Sequence, residues 1–157
     1  MNNDPVILTV DPETSHYAFF QMTFGFCDYL LYDKDFSIQG NFEKSGGQFD
    51  KDLYKDTKSL FSSDKHESAI VTFSKLKVLI KIVDFVAKTL LDNSVDAKMK
   101  LIYKRDLKND KIEYQQAKDF FFNGATNFFD DLKENFSDQP HVLKFIQKLV
   151  TWKKKIF

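Results

Sequence analysis

Histidine and cysteine, the side chains most often used for acid–base, nucleophilic and metal chemistry, number only three and one in this chain, and their spacing suits none of these. His16, His66 and His141 each fall at or near an expected helix start. Glu13-Thr-Ser-His16 has Glu–x–x–His spacing, but a di-iron helical bundle needs two such pairs and two more glutamates. The pair reads instead as a first-turn acid beside a surface imidazole. His66-Glu67 lacks ligand spacing, and no His–x–x–x–His pair is present. Cys27, the single cysteine, has no histidine near it on the same helix face. It reads as a small buried apolar residue, and it excludes an intramolecular disulfide. There is no Gly-x-Ser-x-Gly, no phosphate-binding glycine loop and no Cys-x-x-Cys. The expectation is a protein that is not an enzyme.

What the chain has in excess is phenylalanine, 18 of them in 157 residues against one tryptophan. A ligand pocket is mostly apolar with a few placed polar groups, so these rings suit an apolar ligand better than a reaction. Lys plus Arg and Asp plus Glu are 23 each, giving zero formal net charge. Arg105 is the only arginine. A basic patch and bidentate arginines mark nucleic-acid binders, so no nucleic acid is expected as a partner. The longest apolar stretch, from Ala69 to Leu91, is interrupted by Lys75, Lys77, Lys81, Asp84 and Lys88, which argues against a membrane span. The N-terminal Met-Asn-Asn-Asp-Pro does not look like a signal peptide. A cytoplasmic protein is expected. Lys153-Lys154-Lys155 reads as a cationic helix end.

The elements that must position these residues are helices. After the apolar run Val6–Val10, Asp11-Pro12-Glu13 is a strong helix start, and Tyr17, Phe20, Phe24, Cys27 and Leu31 then recur at helical steps. This predicts a helix from about Glu13 to Tyr32, with Gly25 marking a close helix crossing or a break. Ser45-Gly46-Gly47 is a loop signal. A short helix is expected over 51–61 and a long one over 65–92, apolar nearly all round in its middle. Ser94 or Asp96 can cap a shorter helix to about Leu107, although Met99, Leu101 and Tyr103 also alternate as in a strand. Asn109-Asp110 makes a turn. A helix over 112–136 places Ala117, Phe120, Phe121, Gly124, Phe128, Leu132 and Phe136 on one face. Ser137-Asp138-Gln139-Pro140 starts the last helix, expected to run to near Phe157. The length fits one all-α domain over 1–157, with about six to eight helices.

Several of these segments resemble the second half of a globin. Thr72 to Val86 is similar to the long helix over the distal side of a haem. Leu101 to Gln115 is similar to the short helix and turn that follow it. Lys104-Arg105-Asp106 stands where globins often read Lys-Arg-His, so Asp106 replaces the proximal histidine that holds haem iron. Ser74 falls where a distal histidine often sits, and Asn41-Phe42-Glu43 resembles the segment whose Phe packs on haem. A globin pattern without these histidines resembles the haem-less globin sensor domains of Bacillus and its relatives, among them stressosome and small sporulation-inhibitory proteins.

That resemblance implies a globin-like fold with no haem and no other cofactor. It implies an internal tunnel that takes an apolar small molecule, plausibly a fatty acid. It also implies a homodimer paired through the last two long helices and a regulatory role on a sensor kinase pathway such as sporulation control. The expected tunnel walls are Phe42, Phe73, Leu76, Ile80, Leu101, Phe121, Phe122 and Phe128. Arg105 and Lys75 are candidate anchors for a carboxylate head. The Phe120-Phe121-Phe122 triplet spreads over about 200° of a helix, so at least one ring should point away from the centre of the core stripe. The alternative is a ligand-free helical interaction or inhibitor module with a solid core and an exposed apolar patch.

Overall fold

The structure, a computed structural model, describes residues 5–32, 51–62, 66–105 and 113–149. Phe42, Asp106, the 45–47 loop, the Asn109-Asp110 turn and residues 150–157 lie outside them. The protein is all-α: its described residues form six helices and one two-stranded sheet. None of these helices is long and apolar enough to cross a membrane. The chain divides into two compact units, 1–83 and 84–157.

The first unit opens with strand β1, Val6–Val10, and helix α1, Ser15–Tyr32. The helix starts later than expected. Asp11 closes a turn instead, its carbonyl accepting from Thr14 N–H at 3.1 Å and from the Thr14 hydroxyl at 2.7 Å. Thr14 Oγ1 then accepts from Tyr17 N–H at 3.4 Å, so Thr14 and not Asp11 takes the capping role. Helix α1 runs unbroken through Gly25.

Helix α2, Lys51–Ser59, lies alongside and leads into buried Phe61. Three α1 rings grip that phenylalanine: Tyr17, Phe20 and Phe24, with ring centroids 5.3, 4.8 and 5.7 Å away. Their spacing of three and four residues puts them on one face. Two side chains of α1 hold the backbone at the end of α2. Tyr17 OH donates to the Ser62 carbonyl and Gln21 Nε2 to the Phe61 carbonyl, both at 3.0 Å.

The expected helix over 65–92 is two elements, not one. Ala69–Thr72 is strand β2, and helix α3 begins at Phe73 and ends at Leu90. Ile70, Val71 and Thr72 are β-branched and stiff at χ1. Their burial alternates, with Ala69 and Val71 inside and Ile70 outside. β1 supplies an antiparallel partner, pairing Thr9 with Ile70 and Val10 with Ala69, with a register shift between Val6 and Leu8. The middle of α3 is buried on most sides, as its composition predicts, including Leu76, Leu79, Ile80, Ile82, Val83 and Val86.

The boundary between the units falls inside α3, and the second unit begins at Asp84, a buried carboxylate. Its Oδ2 accepts from Lys88 Nζ at 3.0 Å, one turn on. Helix α4, Asn93–Arg105, is capped by Asp92, whose Oδ1 accepts from Ser94 N–H at 3.0 Å and Val95 N–H at 3.3 Å. Neither Ser94 nor Asp96 is the cap, and the strand alternative over 98–103 does not form. Met99 and Ile102 point inward at helical spacing.

Helix α5, Tyr114–Asn135, buries Phe121, Phe122, Ala125, Phe128, Phe129 and Leu132. The buried face is rotated from the one expected. Phe120 is 44% exposed, while Phe122 and Phe129 go inside. Of the triplet, Phe120 is therefore the ring that leaves the stripe. Helix α6, Pro140–Leu149, starts at the predicted proline and buries Val142 and Ile146.

Candidate functional site

A groove of about 540 Å³ lies between α1 and α2 in the first unit. The α1 wall is Gln21, Phe24, Gly25 and Asp28, which are spaced i, i+3, i+4 and i+7 and so share one helix face. The α2 wall is Lys55, Lys58 and Ser59, continuing to Phe61 and Ser62. Two buried rings, Phe24 and Phe61, give the floor its apolar character.

One carboxylate organises the polar end. Asp28 Oδ1 accepts from Tyr54 OH at 2.5 Å, and Oδ2 accepts from Lys58 Nζ. Tyr54 and Lys58 are one helical turn apart on α2, so both reach the same acid. Tyr54 is buried, and its ring packs edge-on against Phe24 with centroids 6.0 Å apart. Burial pushes its phenol well above the ordinary range, and the neighbouring Cys27 and Asp28 push it further. Burial also pushes the Cys27 thiol up. A fully buried thiol held neutral is a poor nucleophile, and Cys27 packs in the core.

The second unit repeats the arrangement. Asp96 on α4 accepts from Tyr114 OH at 2.5 Å and from Lys118 Nζ at 3.0 Å, and Tyr114 and Lys118 are again one turn apart. Burial, then the hydrogen bond to Asp96, raises the Tyr114 phenol. Both phenols therefore stay protonated at neutral pH and act as donors.

These shifts fix a direction of pH dependence. An ordinary tyrosine ionises near pH 10.0. The folded chain keeps two protons that the unfolded chain releases above that value. The stability from these phenols is intact below about pH 10 and is lost as the pH rises further. In a phenolate absorbance titration, Tyr54 and Tyr114 should ionise only together with loss of helical circular dichroism. Ordinary ionisation of all six tyrosines in a still-folded chain would overturn the Tyr–Asp clasps.

The described residues expected to line a tunnel fall in both units. Phe73, Leu76 and Ile80 lie on α3 in the first unit, with Leu76 and Ile80 buried and Phe73 half-buried under Lys77, whose Nζ sits 4.9 Å from its ring centroid. Leu101, Arg105, Phe121, Phe122 and Phe128 lie in the second unit. Phe121, Phe122 and Phe128 are buried, and Phe121 and Phe122 meet edge-on with centroids 5.1 Å apart. Leu101 is not an interior wall. It is 70% exposed, because Met99 and Ile102 take the inward positions of α4. Arg105 is exposed at the C-terminal end of that helix. Lys75 pairs with Asp56 at 3.5 Å, and Ser74 is exposed.

Sequence reasoning missed the groove residues Gln21, Asp28, Lys55 and Lys58. The available signal was the face Gln21–Phe24–Gly25–Asp28, which mixes polar, aromatic and absent side chains where a packed face would be apolar throughout. Among the described residues, no group of three or more His, Cys, Asp or Glu is arranged to hold a metal ion. No protein-family model, curated protein or solved structure matches this chain.

Proposed function

We propose that the chain is a non-enzymatic helical binding module that holds a small molecule with an apolar body in the α1–α2 groove. Gly25 is the observation that carries this reading. Glycine inside a helix costs roughly 0.5–1 kcal/mol relative to alanine. Close packing does not require it here, since a Cβ at this position would meet nothing within 4 Å. The space kept open by the missing side chain belongs to the groove. The groove's volume lies within the range of about 300–1,000 Å³ typical of ligand sites.

The regulatory setting comes from the sequence resemblance. On that reading the chain is a haem-free, globin-like sensor in the cytoplasm. It is a single domain, paired as a homodimer through α5 and α6, that modulates a sensor kinase pathway such as sporulation control. The ligand would then be a fatty acid. What supports this part is the succession of a long α3, a shorter α4, a long α5 and a proline-started α6. Signalling would follow from linkage, a ligand that prefers one arrangement of the helices shifting its population.

Organic extraction of the purified protein, with mass spectrometry of what is released, tests the groove. An apolar small molecule should come from the wild type and be missing from Gly25→Trp, whose side chain would start into the open space beside Gly25. A wild-type extract that is clean, from protein that also takes up no added fatty acid, would overturn the reading. That result would favour the second reading, a ligand-free interaction module, which is supported by the exposed Val6 and Ile70 of the sheet.

A further inference from the structure

We infer that the groove's ligand carries an anionic head and that Lys55 receives it; this rests on the groove being the binding site. The mouth holds three charges, Asp28, Lys55 and Lys58. Asp28 is already satisfied by the Tyr54 hydroxyl and by Lys58. Lys58 is occupied by the same pairing. Lys55 is the cation left over: it is exposed, and among the described residues it has no ion-pair or hydrogen-bond partner. Asp56, its neighbour on α2, is turned to Lys75 at 3.5 Å.

The other groove donors are also committed. Gln21 Nε2 donates to the Phe61 carbonyl at 3.0 Å, and the Ser59 hydroxyl donates to the Asp56 carbonyl at 2.7 Å. A ligand entering over Phe24 and Phe61 thus meets an apolar floor and one uncompensated positive charge. A cationic ligand would be repelled by Lys55 and would have to displace Lys58 from Asp28. The complementary class is an amphiphile with an apolar body and a single acidic group, a carboxylate or a sulfonate. Lysine suits this role as a point charge on a flexible stem, which places no demand on the head's geometry.

Two fluorescent probes of nearly the same shape test the inference: anilinonaphthalene sulfonate, an anion, and phenylnaphthylamine, its neutral analogue. Both should bind the 157-residue chain. The anion should bind about tenfold more tightly, the scale of one charge-assisted contact, with the advantage shrinking as salt is raised. Lys55→Met and Lys55→Gln should both remove the anion's advantage over the neutral probe. Gly25→Trp should remove both probes. Circular dichroism and a cooperative melt show that each variant is folded. If both probes bind equally, Lys55→Met changes neither and Gly25→Trp removes both, the anionic head is overturned and the groove stands. If Gly25→Trp leaves both probes bound, the groove fails as the site and this inference fails with it.

Discussion

Phe121→Ala should cost about 3–5 kcal/mol of stability, the usual range for emptying a buried phenylalanine site. The ring is fully buried. It packs edge-on against Phe122 at 5.1 Å, so truncation removes both its transfer free energy and an aromatic pair. Its neighbour Phe120 is chemically identical and 44% exposed. Phe120→Ala should therefore move stability by no more than about 0.5 kcal/mol, as surface substitutions do. Urea unfolding of the two variants, followed by circular dichroism, makes the comparison. Similar midpoints for both would overturn the orientation of α5.

Asp28→Ala should cost about 1–3 kcal/mol, chiefly because it leaves the buried Tyr54 hydroxyl without its acceptor. The Phe24 carbonyl also lies near that hydroxyl, but at 3.5 Å, a marginal distance. The lost pairing with Lys58 adds little, because both side chains are partly exposed, 45% and 30%, and such pairs are worth about 0–1 kcal/mol. Tyr54→Phe removes the donor instead, leaving Asp28 with Lys58 and water, and should cost less. The double variant Asp28→Ala/Tyr54→Phe should be more stable than the sum of the single effects predicts, because no orphaned polar group remains. Thermal or urea melts of the four proteins give the coupling directly. Strict additivity would mean that the hydroxyl and the carboxylate do not depend on one another.

The sequence by itself determined the helices. Repeats of three and four apolar residues mark α1, α3, α5 and α6, because a helix that must bury one face writes that face into its sequence. Pro140 sets the start of α6 for the same local reason, its fixed φ and missing N–H suiting the first turn. Cys27 and the middle of α3 were legible as buried from composition alone. Strand β2 was not, because Ala69–Thr72 continues the apolar run of α3. It becomes a strand only by pairing with β1, some sixty residues earlier, as in the Thr9–Ile70 pair. The rotation of α5 that exposes Phe120 and buries Phe129 was also hidden, since a helix bearing rings at 120, 121, 122, 128 and 129 offers two nearly equal apolar faces and its packing selects one.

The groove belongs to the tertiary structure even more completely. Asp28 is 26 residues from Tyr54 and 30 from Lys58, and Asp96 is 18 and 22 residues from Tyr114 and Lys118. No local pattern announces that a Tyr–x–x–x–Lys turn will clasp an aspartate on another helix. Each residue alone is an ordinary polar side chain at an ordinary position. Burial of the phenol and the approach of the carboxylate exist only once α1 lies against α2 and α4 against α5. Periodicity records which face of a helix is covered; what covers it, and the gap left at Gly25, are decided by packing between segments far apart in the chain.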